Sequence, residues 1–155
     1  MTKTRTTVVA LMLCFAAGAV CFADSPQMGT WKLNESKSEF SSKARTNMVT
    51  YTDAKGDMVK VDVEGVDKEG KPVHWTWVGK FDGKSYKLEN NPIADMAAYK
   101  MMNDHRNDIT MTKDGNTVMM ITVKVAKDGK SRTVTSTSLD TGGKKTTDKA
   151  FYDKM

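Results

Sequence analysis

Apolar and polar residues alternate along most of this chain. Between Asp57 and Val66, the side chains of Val59, Val61 and Val63 fall on one side and those of Lys60, Asp62 and Glu64 on the other. Val73, Trp75, Trp77, Gly79 and Phe81 share a face opposite His74, Thr76, Val78 and Lys80. Met119, Ile121, Val123 and Val125 oppose Thr122 and Lys124, and Ile109 and Met111 alternate with Thr110 and Thr112. A period of two puts successive side chains on opposite faces of a pleated strand. One apolar and one wet face is the pattern of antiparallel sheet.

Turn signals separate these runs. Lys55-Gly56-Asp57, Lys68-Glu69-Gly70-Lys71, Asp82-Gly83, Asp114-Gly115-Asn116, Asp128-Gly129 and Gly142-Gly143 supply residues that accept positive φ in tight hairpins. The spacing predicts strands at Gly29–Leu33, Thr46–Ala54, Asp57–Val66, Pro72–Phe81, Lys84–Leu88, Ala97–Asn103, Asp108–Lys113, Thr117–Lys127, Ser131–Leu139 and Thr147–Lys154. Helix signals are few. Glu35 to Ala44 has room for one short turn, and Ile93 to Met102 reads as strand or as a helix started by Asn91-Pro92. The stretch from Glu89 to Asp95 is the longest turn-like segment. Ten strands in one open sheet would leave two exposed edges, and closure removes both. The expected fold is therefore all-β: a single antiparallel meander closing into an 8–10-stranded barrel with at most one short helix.

The first 23 residues have a different character. Lys3 and Arg5 precede an apolar run from Val8 to Val20, and Cys21-Phe22-Ala23 ends it on a small residue. These are the parts of a secretory signal peptide, and the run is too short to span a membrane comfortably. Residues 1–23 are read as a signal peptide cleaved after Ala23, and residues 24–155 as one exported domain, periplasmic or extracellular, with no transmembrane segment. Val20 suits lipid attachment poorly, so simple secretion is favoured over a lipid anchor at Cys21. Both cysteines, Cys14 and Cys21, lie in the leader. The remaining domain must then fold without a disulfide.

Removing Lys3 and Arg5 leaves 22 basic against 19 acidic residues, interspersed along the chain. This is a solubilising surface, without the basic stripe of a nucleic-acid binder. Chemistry is sparse. The two histidines, His74 and His105, lie far apart without a cysteine partner, which does not make a zinc site. No Gly-x-Ser-x-Gly elbow is present, and Asp62 and Glu64 sit on a wet face. Ten methionines follow the leader, but neighbours such as Met119 and Met120 point to opposite faces, so they read as adaptable filler rather than a copper site. No catalytic residue, metal ligand or cofactor is assigned, and the chain is not read as an enzyme.

Gly29-Thr30-Trp31 resembles the Gly-x-Trp signature that opens the first strand of lipocalins, and Gly-Thr-Trp-Lys-Leu looks like the start of fatty-acid-binding proteins. Both are calycin barrels, and the meander from residue 29 to 154 is compatible with them. The resemblance implies a lipocalin-like barrel of the small exported bacterial kind. It also implies that Trp31 closes the floor of the barrel against a late-strand arginine, for which Arg132 is the one candidate. Ala150-Phe151-Tyr152 stands where fatty-acid-binding proteins carry Arg-x-Tyr, a departure that weighs against fatty-acid specificity.

Barrels of this size are either filled or hold one small ligand. Ligand pockets are mostly apolar and aromatic with a few placed polar groups. The candidate binding residues are Tyr51, Trp75, Trp77, Tyr86, Tyr99 and Arg132, with Trp75 and Trp77 turned toward the hollow. The same aromatic residues also suit plain core packing. Arg132 shares a face with Val134, Ser136 and Ser138. A charged residue ordinarily faces water; an inward one would need an internal acid or an anionic ligand. The expected function is an exported binding protein for a small hydrophobic or amphipathic molecule. The alternative is an envelope or secreted protein-interaction module with a filled barrel and no small-molecule ligand.

Overall fold

The computed structural model describes residues 25–155, and the proposed signal peptide, its cleavage point after Ala23 and the anchor position Cys21 lie outside them. The chain forms ten strands: β1 (Gly29–Leu33), β2 (Arg45–Ala54), β3 (Met58–Val66), β4 (Pro72–Gly79), β5 (Asp82–Glu89), β6 (Met96–Asn103), β7 (Arg106–Lys113), β8 (Asn116–Val125), β9 (Ser131–Leu139) and β10 (Lys145–Lys154). Each pairs antiparallel with its neighbours in sequence, and β1 pairs with β10, so the meander closes into a barrel. One 3-10 turn, Glu35–Lys37, follows β1. The Ile93–Met102 segment takes its strand reading, as β6.

Local chemistry sets the hairpins. Asp114 and Gly115 both hold positive φ (49° and 80°) in a two-residue connection between β7 and β8. Gly56 and Asp57 also hold positive φ (67° and 58°), in the three-residue connection Lys55-Gly56-Asp57 between β2 and β3. That twist matches the right-handed twist of the flanking strands. The register then carries whole rows of side chains to the inside. One row runs Trp31, Val49, Val63, Trp75. The next runs Tyr51, Val61, Trp77, Leu88. On the far wall the rows are Tyr99, Ile109, Ile121, Ser136, Asp148 and Met101, Asn107, Val123, Val134, Ala150.

Two places in the wall are weakly hydrogen-bonded. At the closure, β1 and β10 match at only three positions, Trp31 to Lys154, Lys32 to Asp153 and Leu33 to Tyr152. A bridge between Glu39 and Lys149 extends this contact past the 3-10 turn. Between β4 and β5 only Thr76 with Glu89 and Trp77 with Leu88 are paired. There the wall is completed by side chains. The Tyr86 ring lies against Gly79 and meets Trp77 edge-on at 5.8 Å. A Cβ on Gly79 would come within 2.5 Å of the Trp77 ring and 2.6 Å of the Tyr86 ring. Gly79→Ala is therefore expected to destabilise the fold by about 1–3 kcal/mol, the usual cost of forcing a methyl into a filled space. Denaturant unfolding of the wild type and variant measures it; an unchanged midpoint would mean that the seam is loose.

Candidate functional site

Gln27 and Met28 fold across the end of the barrel where β1 begins, and both are buried. The Trp31 indole, fully buried, donates through Nε1 to the Gln27 carbonyl at 3.0 Å. Arg132 lies on its other side. The guanidinium carbon sits 4.7 Å from the Trp31 ring centre, 5.2 Å from Tyr51 and 4.9 Å from Tyr152. The stacking implied for Trp31 and a late arginine is present. The expectation that Arg132 faces water is overturned: it is 3% exposed. Parity along β9 prevails over the general preference of charge for the surface because three aromatic faces receive the cation. A desolvated cation over an aromatic ring is worth about 2 kcal/mol.

Tyr51, Trp77 and Tyr99 converge in the interior with Phe81. Trp77 and Tyr99 are 4.0 Å apart centre to centre, Phe81 stacks on Trp77 at 6.2 Å and on Tyr99 at 5.8 Å, and Tyr51 meets Phe81 edge-on at 6.4 Å. Trp77 Nε1 donates to the Ala97 carbonyl at 3.1 Å. These rings pack on one another and form core. Tyr86 closes the β4–β5 seam and donates its hydroxyl to Asp82 at 3.0 Å. Trp75 also faces inward, as the partner of Val63, but it stays half-buried at the opposite end of the barrel. The structure thus joins five of the six candidates, with Tyr51 in contact with both Arg132 and the aromatic cluster, and leaves Trp75 apart.

The wall formed by β8, β9 and β10 is different. Ile109 and Met111 on β7 are buried. Their inward neighbours Ile121 and Met119 on β8, then Ser136 and Ser138 on β9, then Asp148 and Thr146 on β10, all keep partial exposure. Val134 is half-buried too, although it stands in mid-strand between buried Val123 and Ala150. Inward side chains near the strand ends are wetted from the rim, and the smaller ones of this wall pack less closely than the rings opposite. These inward positions trace a partly exposed strip, the trough, along β8–β10, where the outward Thr133, Thr135 and Thr137 of β9 are half-buried as well; Leu33, Phe40 and Trp75 are further half-buried apolar groups against the core. At its rim, Asp148 accepts the Ser41 amide at 2.7 Å.

Outside the same wall lies a concavity of about 510 Å³ lined by Arg106, Thr122, Lys124, Thr133, Thr135 and Lys149. Arg106 is committed to Asp108 through two hydrogen bonds of 3.0 and 2.9 Å, and Thr122 adds a third at 3.1 Å. The Arg106 hydrogen bond holds the Asp108 carboxyl below its ordinary range. Among the described residues no group of three histidine, cysteine or carboxylate side chains is placed to hold a metal, and no helix is long and apolar enough to cross a membrane.

Sequence reasoning missed the trough residues and the buried amides of Gln27 and Asn107. The signal for the trough was the parity of Ser136 and Ser138 with Val134, which puts small hydroxyls on an inward face. Asn107 carried the same signal through Ile109 and Met111, whereas nothing in the sequence marked Gln27. Compared with known proteins, the chain matches no family model and no curated protein.

Burial pushes the Tyr152 phenol up to about 12, with Arg132 pulling the other way, and burial raises Tyr99 as well. The folded state therefore keeps protons that the unfolded chain gives up near pH 10. The stabilisation is complete below that pH and is lost as pH rises toward 12. Tyr152 alone is expected to account for about 2 kcal/mol of that loss between pH 9 and pH 11.5. Urea unfolding at pH 9 and pH 11.5 measures it, and Tyr152→Phe should reduce the difference, leaving the part due to Tyr99; an equal loss in both proteins would contradict the assignment.

Proposed function

We propose that this chain is an exported, lipocalin-like barrel that binds a small, partly hydrophobic molecule and acts by binding rather than catalysis. The observation that carries this reading is the partial exposure of inward side chains along β8–β10, which we read as a trough for a guest. Its inward positions combine apolar side chains, Met119, Ile121 and Val134, with the hydroxyls of Ser136 and Ser138. Apolar burial supplies affinity and the few polar groups set orientation. The site moves from the aromatic wall expected from sequence to the opposite wall, because Tyr51, Trp77 and Tyr99 are already packed against one another. Trp75 remains as the half-buried indole of the open end. The opening Gly29-Thr30-Trp31 and the stacking of Trp31 with Arg132 support the lipocalin-like reading, and the leader pattern supports export.

A second reading, an interaction module that uses its outer face, is favoured by the filled aromatic half and by the basic concavity at Lys124 and Lys149.

Titration with the neutral dye phenylnaphthylamine separates the two. The expected result is saturable one-site binding, with energy transfer from tryptophan that falls in Trp75→Phe. Val134→Trp fills the trough and should weaken binding at least tenfold while the barrel's circular dichroism is kept. Linear, unsaturable uptake of dye by the folded wild type would reject the small-molecule reading and leave the outer face.

A further inference from the structure

The closed end of the barrel holds polar chemistry that the trough does not use. Arg132 is 3% exposed, and its Nε and Nη1 have no hydrogen-bond partner. The ion pairs among the described residues join Arg45 to Glu35, Lys60 and His74 to Asp62, Lys80 to Asp57 and Arg106 to Asp108; none reaches Arg132. Three aromatic faces neutralise part of its desolvation, yet a ring face is only a weak acceptor for an N–H group.

Other unpartnered groups belong to the same end. Gln27 and Asn107 are fully buried, and both amide atoms of each lack a partner, as does Nδ1 of His105. The register brings them toward Arg132. Val125 is the β8 partner of Arg132, and its amide donates to the His105 carbonyl at 2.8 Å. Asn107 shares the inward row of Val123 and Val134, one step from the row of Val125 and Arg132. The Gln27 carbonyl holds the indole on which the guanidinium stacks.

We propose that this closed end is a binding site for a small oxyanion. The guanidinium edge of Arg132 supplies the charge and two N–H donors, and the Asn107 and Gln27 amides are the neutral donors at the same end of the barrel. A planar guanidinium fork matches the paired oxygens of a carboxylate or phosphate. A neutral guest would leave the cation uncompensated, and a cation would be repelled. The site is independent of the apolar trough: it asks for charge and hydrogen bonding, and it stands whether or not the trough takes a ligand.

The test follows the purified protein with inorganic phosphate in one arm and acetate in another, against sodium chloride at matched ionic strength. A ligand held only by the folded state multiplies the folding constant by about a hundred at about 100 times its dissociation constant. The expected result is such a saturable gain with at least one oxyanion, absent with chloride. It should also be absent in Arg132→Met, which fills the aromatic cage without charge, and weakened in Asn107→Leu. An equal gain in Arg132→Met would reveal general salting-out and overturn the proposal. Should either variant fail to fold, the Arg132 Nε–H resonance of the wild type decides. A saturable shift with phosphate or acetate supports the site, and a resonance that stays put assigns those donors to ordered water and sinks it. Phosphate alone or acetate alone as the effective arm identifies which oxyanion source the site accepts.

Discussion

The barrel depends on one buried cation. Arg132 stands on β9, and its guanidinium lies within cation–π distance of Tyr152 of β10, Trp31 of β1 and Tyr51 of β2. Those four strands are consecutive around the wall and include the closing pair. The hydrogen bonds of that closure are few, because β1 has five residues and matches β10 at three. A side-chain contact therefore does much of what backbone pairing does elsewhere. Its energetics are finely set. Removing a guanidinium from water costs several kcal/mol, and three ring faces at about 2 kcal/mol each offset a cost of that size. Neither side wins by a wide margin, so the ring geometry around Arg132 has to be kept.

The second weak place, between β4 and β5, is solved with different chemistry. It has no charge in its interior. Trp77, Phe81 and Tyr99 stack across the gap, and Tyr86 lies over Gly79 where backbone pairing has stopped. Aromatic rings bury large areas and interlock at fixed angles, which lets them replace a ladder of hydrogen bonds over a short stretch. The cost is that these rings are used up. Residues that satisfy one another at 4.0 to 6.4 Å are no longer free to line a pocket. The inward positions not taken up by rings are on the opposite wall, where β9 carries Val134, Ser136 and Ser138.

Much of this architecture was legible in the sequence. Alternation and turn residues located ten strands, and the edge argument required closure. The misplaced boundaries have local causes. β10 begins at Lys145, before the expected Thr147, because Gly142-Gly143-Lys144-Lys145 reads as a polar turn although Lys145 pairs with Leu139. β4 stops at Gly79 rather than Phe81, since ladder pairing depends on the neighbouring strand, which the sequence of β4 does not contain. Parity also showed that Trp75 and Trp77 share the inner face. It could not show that Trp77 meets Tyr99 while Trp75 meets the open end, because a face says nothing about what fills the space before it. For Arg132 two rules disagreed, strand parity and the surface preference of charge, and only the aromatic cage decides between them.

The polar groups at the closed end pose the sharper energetic question. Seven side-chain atoms of Gln27, His105, Asn107 and Arg132 are buried without a protein partner. Each orphaned group costs about 1–3 kcal/mol, so together they would rival the 5–15 kcal/mol by which whole domains are stable. A fold this dependent on its closure gains from any guest that relieves part of that cost. Water alone would satisfy the two amides, which carry donors and acceptors in equal measure. It would serve the guanidinium less well, because a cation without a counter-charge in a low-dielectric interior gains most from an anion. The charge of Arg132, more than the number of unpaired atoms, is what makes an oxyanion the better guest.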